Sequence, residues 1–293
     1  MTTDSNNKSS AYFILIFISL IWGSSFILIK KALLVYSPEQ VALLRIFFAY
    51  IALLPSSLLH LKKHFRKSGF KLAVSGVVGN LIPAFLFALA QTRLASGIAG
   101  VLNSLTPLFT LLIGIFLFNI KLVRSHFIGI TIGLIGSIGL SLINQGGSPG
   151  KMNVYAMLIV VASFCYGFNV NYVNKYLDSI PSVQLTGLAL FFVGPPSVFF
   201  LFCTDFVNVL NTNNGAWQAL GFLAILGVVN TALALILFFR LLQISSPVAA
   251  SSVTYIIPVV ALLIGVLDGE NIYFLHVIGM LMIISGVYLI NRR

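Results

Sequence analysis

The chain has 293 residues, of which 59% are hydrophobic and only 8% are charged, and its mean hydropathy is +1.04. Soluble domains carry about 25% charged residues, so this composition excludes a water-soluble globular protein. The formal net charge is +11, but no polar element that could read a nucleic-acid groove accompanies the basic residues. We therefore expect no nucleic-acid partner.

Apolar runs of about 20 residues recur from one end of the chain to the other. Ten such runs can be marked, at residues 11–30, 39–61, 70–92, 97–118, 126–144, 153–175, 183–203, 216–240, 246–267 and 273–290. Each is long enough to cross a bilayer core of ~30 Å as a helix. No stretch between them is long enough for a soluble domain. The sequence therefore predicts an all-α integral membrane protein with ten transmembrane helices in a lipid bilayer.

Lysine and arginine residues are unevenly distributed between the two sides of this predicted bundle. With the N-terminus inside, the basic loop LKKHFRKSGFK at residues 61–71 and most other cations fall on the cytoplasmic side. The cations that fall outside are Lys30, Lys31, Arg93 and Lys151. This positive-inside bias predicts a multi-pass protein of the plasma (inner) membrane with both termini in the cytoplasm.

The apolar runs form a repeat. Residues 80–142 contain GNLIPAFLFALAQ, NSLTPLFTLLIG and HFIGITIGLIGS, and residues 230–289 answer with VNTALALILFFRL, VTYIIPVVALLIG and HVIGMLMIISGV. The Gly- and Pro-containing segment NQGGSPGK separates them, so we expect two units, residues 1–148 and 149–293. Each unit holds five spans, and an odd number inverts the second unit. The pattern predicts two inverted five-helix repeats, the architecture typical of a carrier.

Polar residues deep in the predicted spans indicate where a solute would bind, because a polar group in a bilayer needs a partner or a wet cavity. Asn80 and Asn230 occupy matching positions of the two repeats, and Asn103 matches Thr254. Hydrogen bonding between helices is the alternative for each asparagine, and core packing is the alternative for the two aromatic residues. The predicted cavity residues are Trp22, Ser24, Asn80, Asn103, Tyr166, Asn169, Asn230 and Thr254.

Two prolines and three cations complete the candidate set. Pro107 and Pro258 occur early in matching spans and predict helix kinks, each of which frees a backbone carbonyl. Either these kinks face the cavity, or they only shape the bundle. Lys30, Arg45 and Lys175 are predicted to form a charged rim. Of these, Lys175 ends its span at the inner face. Lys30 and Arg45 lie towards the outer face, as Lys31 and Arg93 do. The alternatives for these outer cations are that they reach lipid headgroups or pair with Glu39 and the Asp268-Gly269-Glu270 turn, or that they attract a substrate carboxylate.

Acidic residues and histidines do not converge within the predicted spans. None of the six carboxylates lies deep in a span, which predicts no proton coupling through a buried carboxylate. We expect no metal, no cofactor and no catalytic residues. The alternative class is an integral-membrane enzyme or a lipid-handling protein that acts on lipid-linked substrates.

Small residues form a ridge along the predicted fifth span, at Gly129, Gly133, Ser137 and Ser141. Such a ridge suits helix packing within a monomer, and a homodimer seam is the alternative.

Several segments together resemble the EamA-type ten-span permeases of the drug/metabolite transporter superfamily. They are Trp22-Gly23-Ser24-Ser25-Phe26, Lys30, Arg45 within LLRIFFAY, and NSLTPLFTLLIG at residues 103–114. The resemblance implies two inverted five-helix halves and a central cavity lined by spans 1, 3, 4, 6, 8 and 9. It also implies export or exchange of small metabolites such as amino acids. We therefore expect a carrier that works by alternating access of the two halves. One position departs from the family: Asn119 stands where a glutamate often follows the fourth span.

Overall fold

The computed structural model of the chain describes residues 2–118, 124–143, 153–244, 247, 250 and 252–291. All regular secondary structure in these residues is helical, in agreement with the predicted all-α class. The predicted linker at residues 144–151 and the departure at Asn119 lie outside the described residues.

In the first half of the chain the helices are α1 (Thr2–Ala32), α2 (Pro38–Gly76), α3 (Ile82–Ala90), α4 (Ser96–Asn103), α5 (Thr106–Phe118) and α6 (Arg124–Ser141). In the second half they are α7 (Val154–Tyr176), α8 (Ser182–Phe202), α9 (Phe206–Thr212), α10 (Ala216–Gly227), α11 (Ala234–Ile244), α12 (Ile257–Leu267) and α13 (Phe274–Asn291). Two π-helical turns, Val77–Leu81 and Val228–Leu233, join α2 to α3 and α10 to α11.

Within the part of the chain that the structure describes, six helical segments are long and apolar enough to cross a membrane. They are Phe13–Ala32, Pro38–Ala90, Ser96–Phe118, Val154–Tyr176, Ser182–Phe202 and Ala216–Ile244. Three of the predicted spans correspond instead to shorter apolar helices, Phe127–Leu140, Ile257–Leu267 and Phe274–Gly286. The chain is therefore a helical membrane protein.

The predicted spans 39–61 and 70–92 lie in one helical run, and the loop expected between them is helical. The run starts at a capping box on Ser37, whose hydroxyl accepts from the Gln40 backbone. Residues 61–67 are rich in Leu, Lys and Arg, which are strong helix formers, so nothing in them stops the helix. The basic residues do not form the loop that the charge pattern indicated.

This long run is not straight. Arg45 and Asn80 line the same cavity, although a straight helix would separate them by roughly 50 Å at a rise of 1.5 Å per residue. The run therefore folds back on itself. It supplies two layers of the bundle, one around Arg45 and the other around Asn80.

Small residues let helices from the two halves approach each other closely. A Cβ built on Gly286 in α13 would lie 2.5 Å from the Gly129 carbonyl oxygen in α6 and 2.7 Å from the Gly133 amide nitrogen. A Cβ on Gly76 would overlap the Ala189 carbonyl oxygen of α8. The glycines of the predicted small-residue ridge thus pack against α13 of the same chain, as glycines do between membrane helices.

Candidate solute-binding cavity

One cavity collects most of the residues predicted from the sequence. Its cavity volume is about 90 Å³, roughly six times the space that one buried water needs. Both halves of the chain line it. The predicted residues on its wall are Trp22, Asn80, Asn103, Tyr166, Asn169, Asn230 and Thr254.

The two matching asparagines each sit in a π-helical turn. Asn80 belongs to Val77–Leu81 and Asn230 to Val228–Leu233. A π-turn inserts one extra residue into a helix, releases the regular hydrogen-bond ladder and often occurs at functional sites. The same irregular backbone at matching positions therefore places one amide from each half on the cavity wall.

The two asparagines differ in their hydrogen bonds. The Asn230 amide donates to the Ile21 carbonyl, to Ser24 Oγ at 3.2 Å and to Ser25 Oγ at 3.0 Å, which ties its helix to α1. The Asn80 amide donates only to the Ser75 carbonyl, at 3.4 Å. Among the described contacts, Asn230 thus has the interhelical role that was the alternative, while Asn80 makes no bond to another helix.

Ser24 lies behind the cavity wall. Its hydroxyl donates to the Ile21 carbonyl at 2.8 Å and accepts from Asn230, and the serine that lines the cavity is Ser25. Adjacent residues on a helix point about 100° apart, so only one of the pair faces inward. Trp22 does face the cavity, and its indole Nε1 donates to the Asn230 carbonyl at 3.0 Å.

Both predicted kinks are breaks between short helices. Pro107 is the second residue of α5, and Pro258 is the second residue of α12. Proline fits the first turn of a helix, where its missing N–H has no partner to lose. A turn at residues 104–105 and a 3₁₀ turn at Ser252–Tyr255 precede the two helices. The chain is therefore interrupted at the cavity rather than bent.

One backbone carbonyl beside the break before Pro107 accepts a hydrogen bond from a neighbouring side chain. The Thr106 hydroxyl donates to the Asn103 carbonyl at 2.8 Å, so the carbonyl that the proline was expected to free has a partner. The Asn103 side chain remains on the cavity wall, as Thr254 does at the matching break.

Helix α7 contributes Tyr166 and Asn169 through two close approaches. A Cβ on Gly167 would lie 2.7 Å from the Thr110 backbone nitrogen in α5, and a Cβ on Gly79 would overlap the Asn169 amide. Tyr166 stacks on Phe87 with ring centroids 6.0 Å apart. Asn169 is buried, and its Oδ1 has no hydrogen-bond partner among the described residues. A buried acceptor of this kind is costly unless a ligand or water meets it.

The three cations of the predicted rim are in three different environments. Arg45 lines the cavity itself, and its Nε donates to Thr231 Oγ1 at 2.8 Å. Lys175 does not line the cavity; its Nζ lies 4.9 Å from the centroid of the Phe118 ring. Lys30 belongs to a separate ion-pair cluster. A continuous charged rim is therefore not formed.

The ion-pair cluster connects the two halves near the C-terminal end of α1. Lys30 Nζ lies 2.7 Å from Asp268 Oδ2 and 2.9 Å from Glu270 Oε1, and Lys31 also contacts Asp268. Glu270 further accepts from the Ser96 backbone at 2.8 Å, the Ser96 hydroxyl at 2.7 Å and the Gly97 backbone at 3.0 Å. It thus caps the N-terminus of α4, where the helix dipole favours negative charge.

The cap changes the acidity of this carboxyl. Burial on its own would raise the pKa of Glu270, but the hydrogen bonds from Gly97, Lys30 and Ser96 outweigh burial and hold the pKa below its ordinary value. The pKa of Asp268 is lowered by its hydrogen bonds to Lys30 and Lys31. Both carboxylates are therefore ionised at neutral pH.

The sequence interpretation missed several polar residues of the wall. Thr231 follows Asn230 directly and accepts from Arg45, and Thr106 lies in the break before Pro107. Both were visible as polar residues beside predicted ones. Arg45 was identified as charged but not as inward-facing, because the fold-back of residues 38–90 decides its direction. Within the described residues, no group of three or more His, Cys, Asp or Glu could hold a metal ion.

Comparison with known proteins identifies relatives along the whole chain. The model of the "EamA-like transporter family" matches residues 9–142 and again residues 153–292. An "Uncharacterized transporter" of Archaeoglobus fulgidus is 26% identical over 93% of this chain and 95% of its own. The "Uncharacterized inner membrane transporter YedA" of Escherichia coli (strain K12) is 28% identical over 93% of this chain and 87% of its own.

Two further matches extend the comparison. A "Probable amino-acid metabolite efflux pump" of Salmonella typhimurium is 24% identical over 94% of this chain and 93% of its own. A solved structure described only as a protein crystal structure covers 97% of this chain and 96% of its own, with a TM-score of 0.64 and 17% identity, and it shows the shared fold alone. With the family model matching both halves, the chain belongs to the EamA-like transporter family and is a membrane transporter.

Proposed function

We propose that the chain transports small organic metabolites such as amino acids across the plasma (inner) membrane by alternating access, as an exporter or exchanger. The observation that carries this proposal is the cavity between the two halves, to which each half contributes an asparagine in a π-turn and a polar residue at a helix break. Interrupted helices that meet at a central site are the usual construction of a carrier.

The proposed topology is ten spans in two inverted five-helix repeats, with both termini in the cytoplasm. Support comes from the positive-inside bias and from the fold-back that gives residues 38–90 two layers. In this orientation the cluster of Lys30, Asp268 and Glu270 lies at the outer end. Because it joins α1 and α4 to the turn after α12, opening that end requires its hydrogen bonds to break.

Amino acids are proposed as the solute class on two grounds. The wall combines amides, hydroxyls and aromatic rings, a mixture that suits a small solute with both polar and apolar parts. The Salmonella relative is named for amino-acid metabolite efflux. A monomer is the proposed functional unit, with the lipid bilayer and the solute as its partners.

The test is counterflow in liposomes that contain only this protein, with a panel of amino acids and related metabolites. We expect accumulation of at least one labelled solute driven by its unlabelled counterpart. Asn80→Leu should reduce that flux by about tenfold or more, because it removes a polar contact on the wall. Asn211→Leu, at an exposed asparagine of α9, is the matched control and should transport normally.

Two results would contradict the proposal. Flux that is the same in Asn80→Leu as in the unmodified protein would remove this residue from the site. Absence of counterflow for the whole panel, with chemical conversion of a lipid-linked substrate instead, would favour the membrane enzyme.

A further inference from the structure

Arg45 is the only charged side chain among the described residues that line the cavity. It is half-buried, and Thr231 holds one edge of its guanidinium. The Thr231 hydroxyl in turn donates to the Leu226 carbonyl at 2.8 Å, which fixes its lone pair toward Arg45. A guanidinium has five N–H donors, and Nε uses one of them here. The side chain is therefore oriented while donors remain for another group.

The positive charge of Arg45 has no negative partner in the part of the chain that the structure describes. The lysines at the end of α1 are paired with Asp268 and Glu270, whereas Arg45 forms no salt bridge among the described residues. The segments outside the described residues contain no Asp or Glu. Asp4 is in the first turn of α1, roughly 27 Å along that helix from Trp22.

An uncompensated cation inside a membrane protein is costly, and such residues mark the path of a charged solute. The cavity wall offers further polar groups close by. The Tyr166 hydroxyl interacts with the guanidinium, and the buried Asn169 Oδ1 lacks a partner among the described residues. The remaining wall is largely aromatic and aliphatic. The cavity wall thus presents one positive charge that a small anion would neutralise, and one acceptor that a donor group of the same molecule could meet.

The chemistry of that anion follows from charge and shape. A planar guanidinium binds a carboxylate through two parallel N–H···O bonds. One cation matches the single charge of a carboxylate, whereas a phosphate would bring a second charge with no partner on the wall. The cavity also has room for only a small molecule.

We propose that Arg45 binds the carboxylate of the transported solute, so that a singly charged carboxylate is required for tight binding. This inference rests on the proposed transport function, because it assigns a ligand to the same cavity. It narrows the charged rim expected from the sequence to one residue, since Lys30 is already neutralised and Lys175 lies elsewhere.

Trp22 provides a direct reporter for binding, because it lines the cavity and the chain's other tryptophan, Trp217, is 68% exposed. In a Trp217→Phe background in lipid nanodiscs, fluorescence reports Trp22 alone. The probes are matched pairs of an acid and its amide, beginning with L-leucine and L-leucinamide and with butyrate and butyramide. We expect acids to shift the fluorescence saturably and each amide to bind at least about tenfold more weakly, the loss that a charge-assisted hydrogen bond predicts.

Variants of Arg45 complete the design. Arg45→Gln should abolish the preference for the acid, and Arg45→Lys should retain part of it because it keeps the charge but not the planar fork. Arg93→Gln removes an exposed arginine and should bind as the background protein does. Size-exclusion profiles establish that each variant is folded. If Arg45→Gln does not fold, Arg45→Lys replaces it in the binding test.

Equal binding of acid and amide, or an unchanged preference in Arg45→Gln, would overturn the inference. The fluorescence readout does not need transport, so the two proposals fail separately. If counterflow moves acid and amide equally, the chain is still a transporter, but Arg45 does not select the carboxylate of the solute. If acids bind in an Arg45-dependent way but no flux is measured, the carboxylate site stands and the proposed transport function is contradicted.

Discussion

The matching residues Asn80 and Asn230 show how an internal repeat can preserve a position and change its use. Both lie in π-turns on the wall of one cavity. Only Asn230 connects its turn to α1, through Ser24, Ser25 and the Ile21 carbonyl. The amide that makes few bonds is free to change partners, while the other fixes the packing of two helices.

This difference predicts unequal effects of the same substitution on stability. Asn230→Leu should lower stability by about 1–3 kcal/mol, because it removes hydrogen bonds to α1 that are each worth roughly 0.6–1 kcal/mol in a membrane. Asn80→Leu should leave stability almost unchanged. Thermal unfolding in one detergent, followed by size exclusion, measures both. Equal losses for the two variants would show that the asparagines have the same role.

Among the elements, α6 of the first half and α13 of the second half pack backbone against backbone. Gly286 meets the Gly129 and Gly133 backbones there, with no room for a side chain. Gly139, also in α6, has no atom within 4 Å of a built Cβ. The two glycines therefore form a matched pair, one in a tight contact and one in open space.

Gly286→Val should separate α6 from α13 and lower the unfolding temperature by several degrees, since overpacking costs about 1–3 kcal/mol. Gly139→Val should change it little. Thermal stability in nanodiscs is the measurement. If both valine variants unfold alike, α6 and α13 do not pack as the structure has them.

The Glu270 cap on α4 predicts a pH dependence. Because the pKa of Glu270 is lower in the folded protein than its ordinary value of 4.5, its stabilisation is complete above that value. The stabilisation is lost as pH falls through the lowered folded-state pKa. Unfolding temperature should therefore fall on acidification below about pH 4.5. Glu270→Gln should be less stable at pH 7 and show a weaker acid response.

Asp178→Gln is the control for this experiment, because Asp178 makes no salt bridge among the described contacts and lies in the turn between α7 and α8. It should follow the unmodified protein at every pH. An acid response that persists in full in Glu270→Gln would assign it to other carboxylates.

The sequence predicts elements better than their connections. Hydropathy located the long apolar helices but not the short α9, and the prolines predicted as kinks marked the two breaks at residues 104–105 and Ser252–Tyr255, because both signals are local. The helical conformation of residues 61–70 was not predicted, because they were expected to form the loop between two spans. Helix propensity and loop charge point in opposite directions there, and tertiary packing decides between them.

The candidate site, too, was predictable where its signals are local and not where they depend on tertiary contacts. Polar residues in apolar runs predicted most of the polar side chains on the wall, because few positions in such runs tolerate an amide. Ser24 and Ser25 could not be distinguished, since the rotation of α1 depends on its neighbours. The inward position of Arg45 and the cap made by Glu270 depend on contacts between residues that are far apart in the sequence. Glu270 and Ser96, for example, are 174 positions apart. Local patterns carry no information about such contacts.

In the molecule as a whole, transport by alternating access requires the end of the bundle near Lys30 to open and close. Helices α4 and α12, one from each half, meet at that end. A Cβ on Gly97 would lie 3.4 Å from the Cα of Leu262, so the two Cα atoms are within the range that a disulfide can bridge. The chain's own cysteines, Cys165 and Cys203, are free and can be replaced by serine.

The most direct test is counterflow through a Gly97→Cys/Leu262→Cys double variant in that cysteine-free background, measured before and after oxidation. Each single-cysteine variant controls for oxidation itself. We expect the cross-linked protein to lose at least about nine-tenths of its flux and to recover it on reduction, because an end that is locked closed cannot alternate. Cross-linked protein that transports as fast as its reduced form would contradict alternating access through this end.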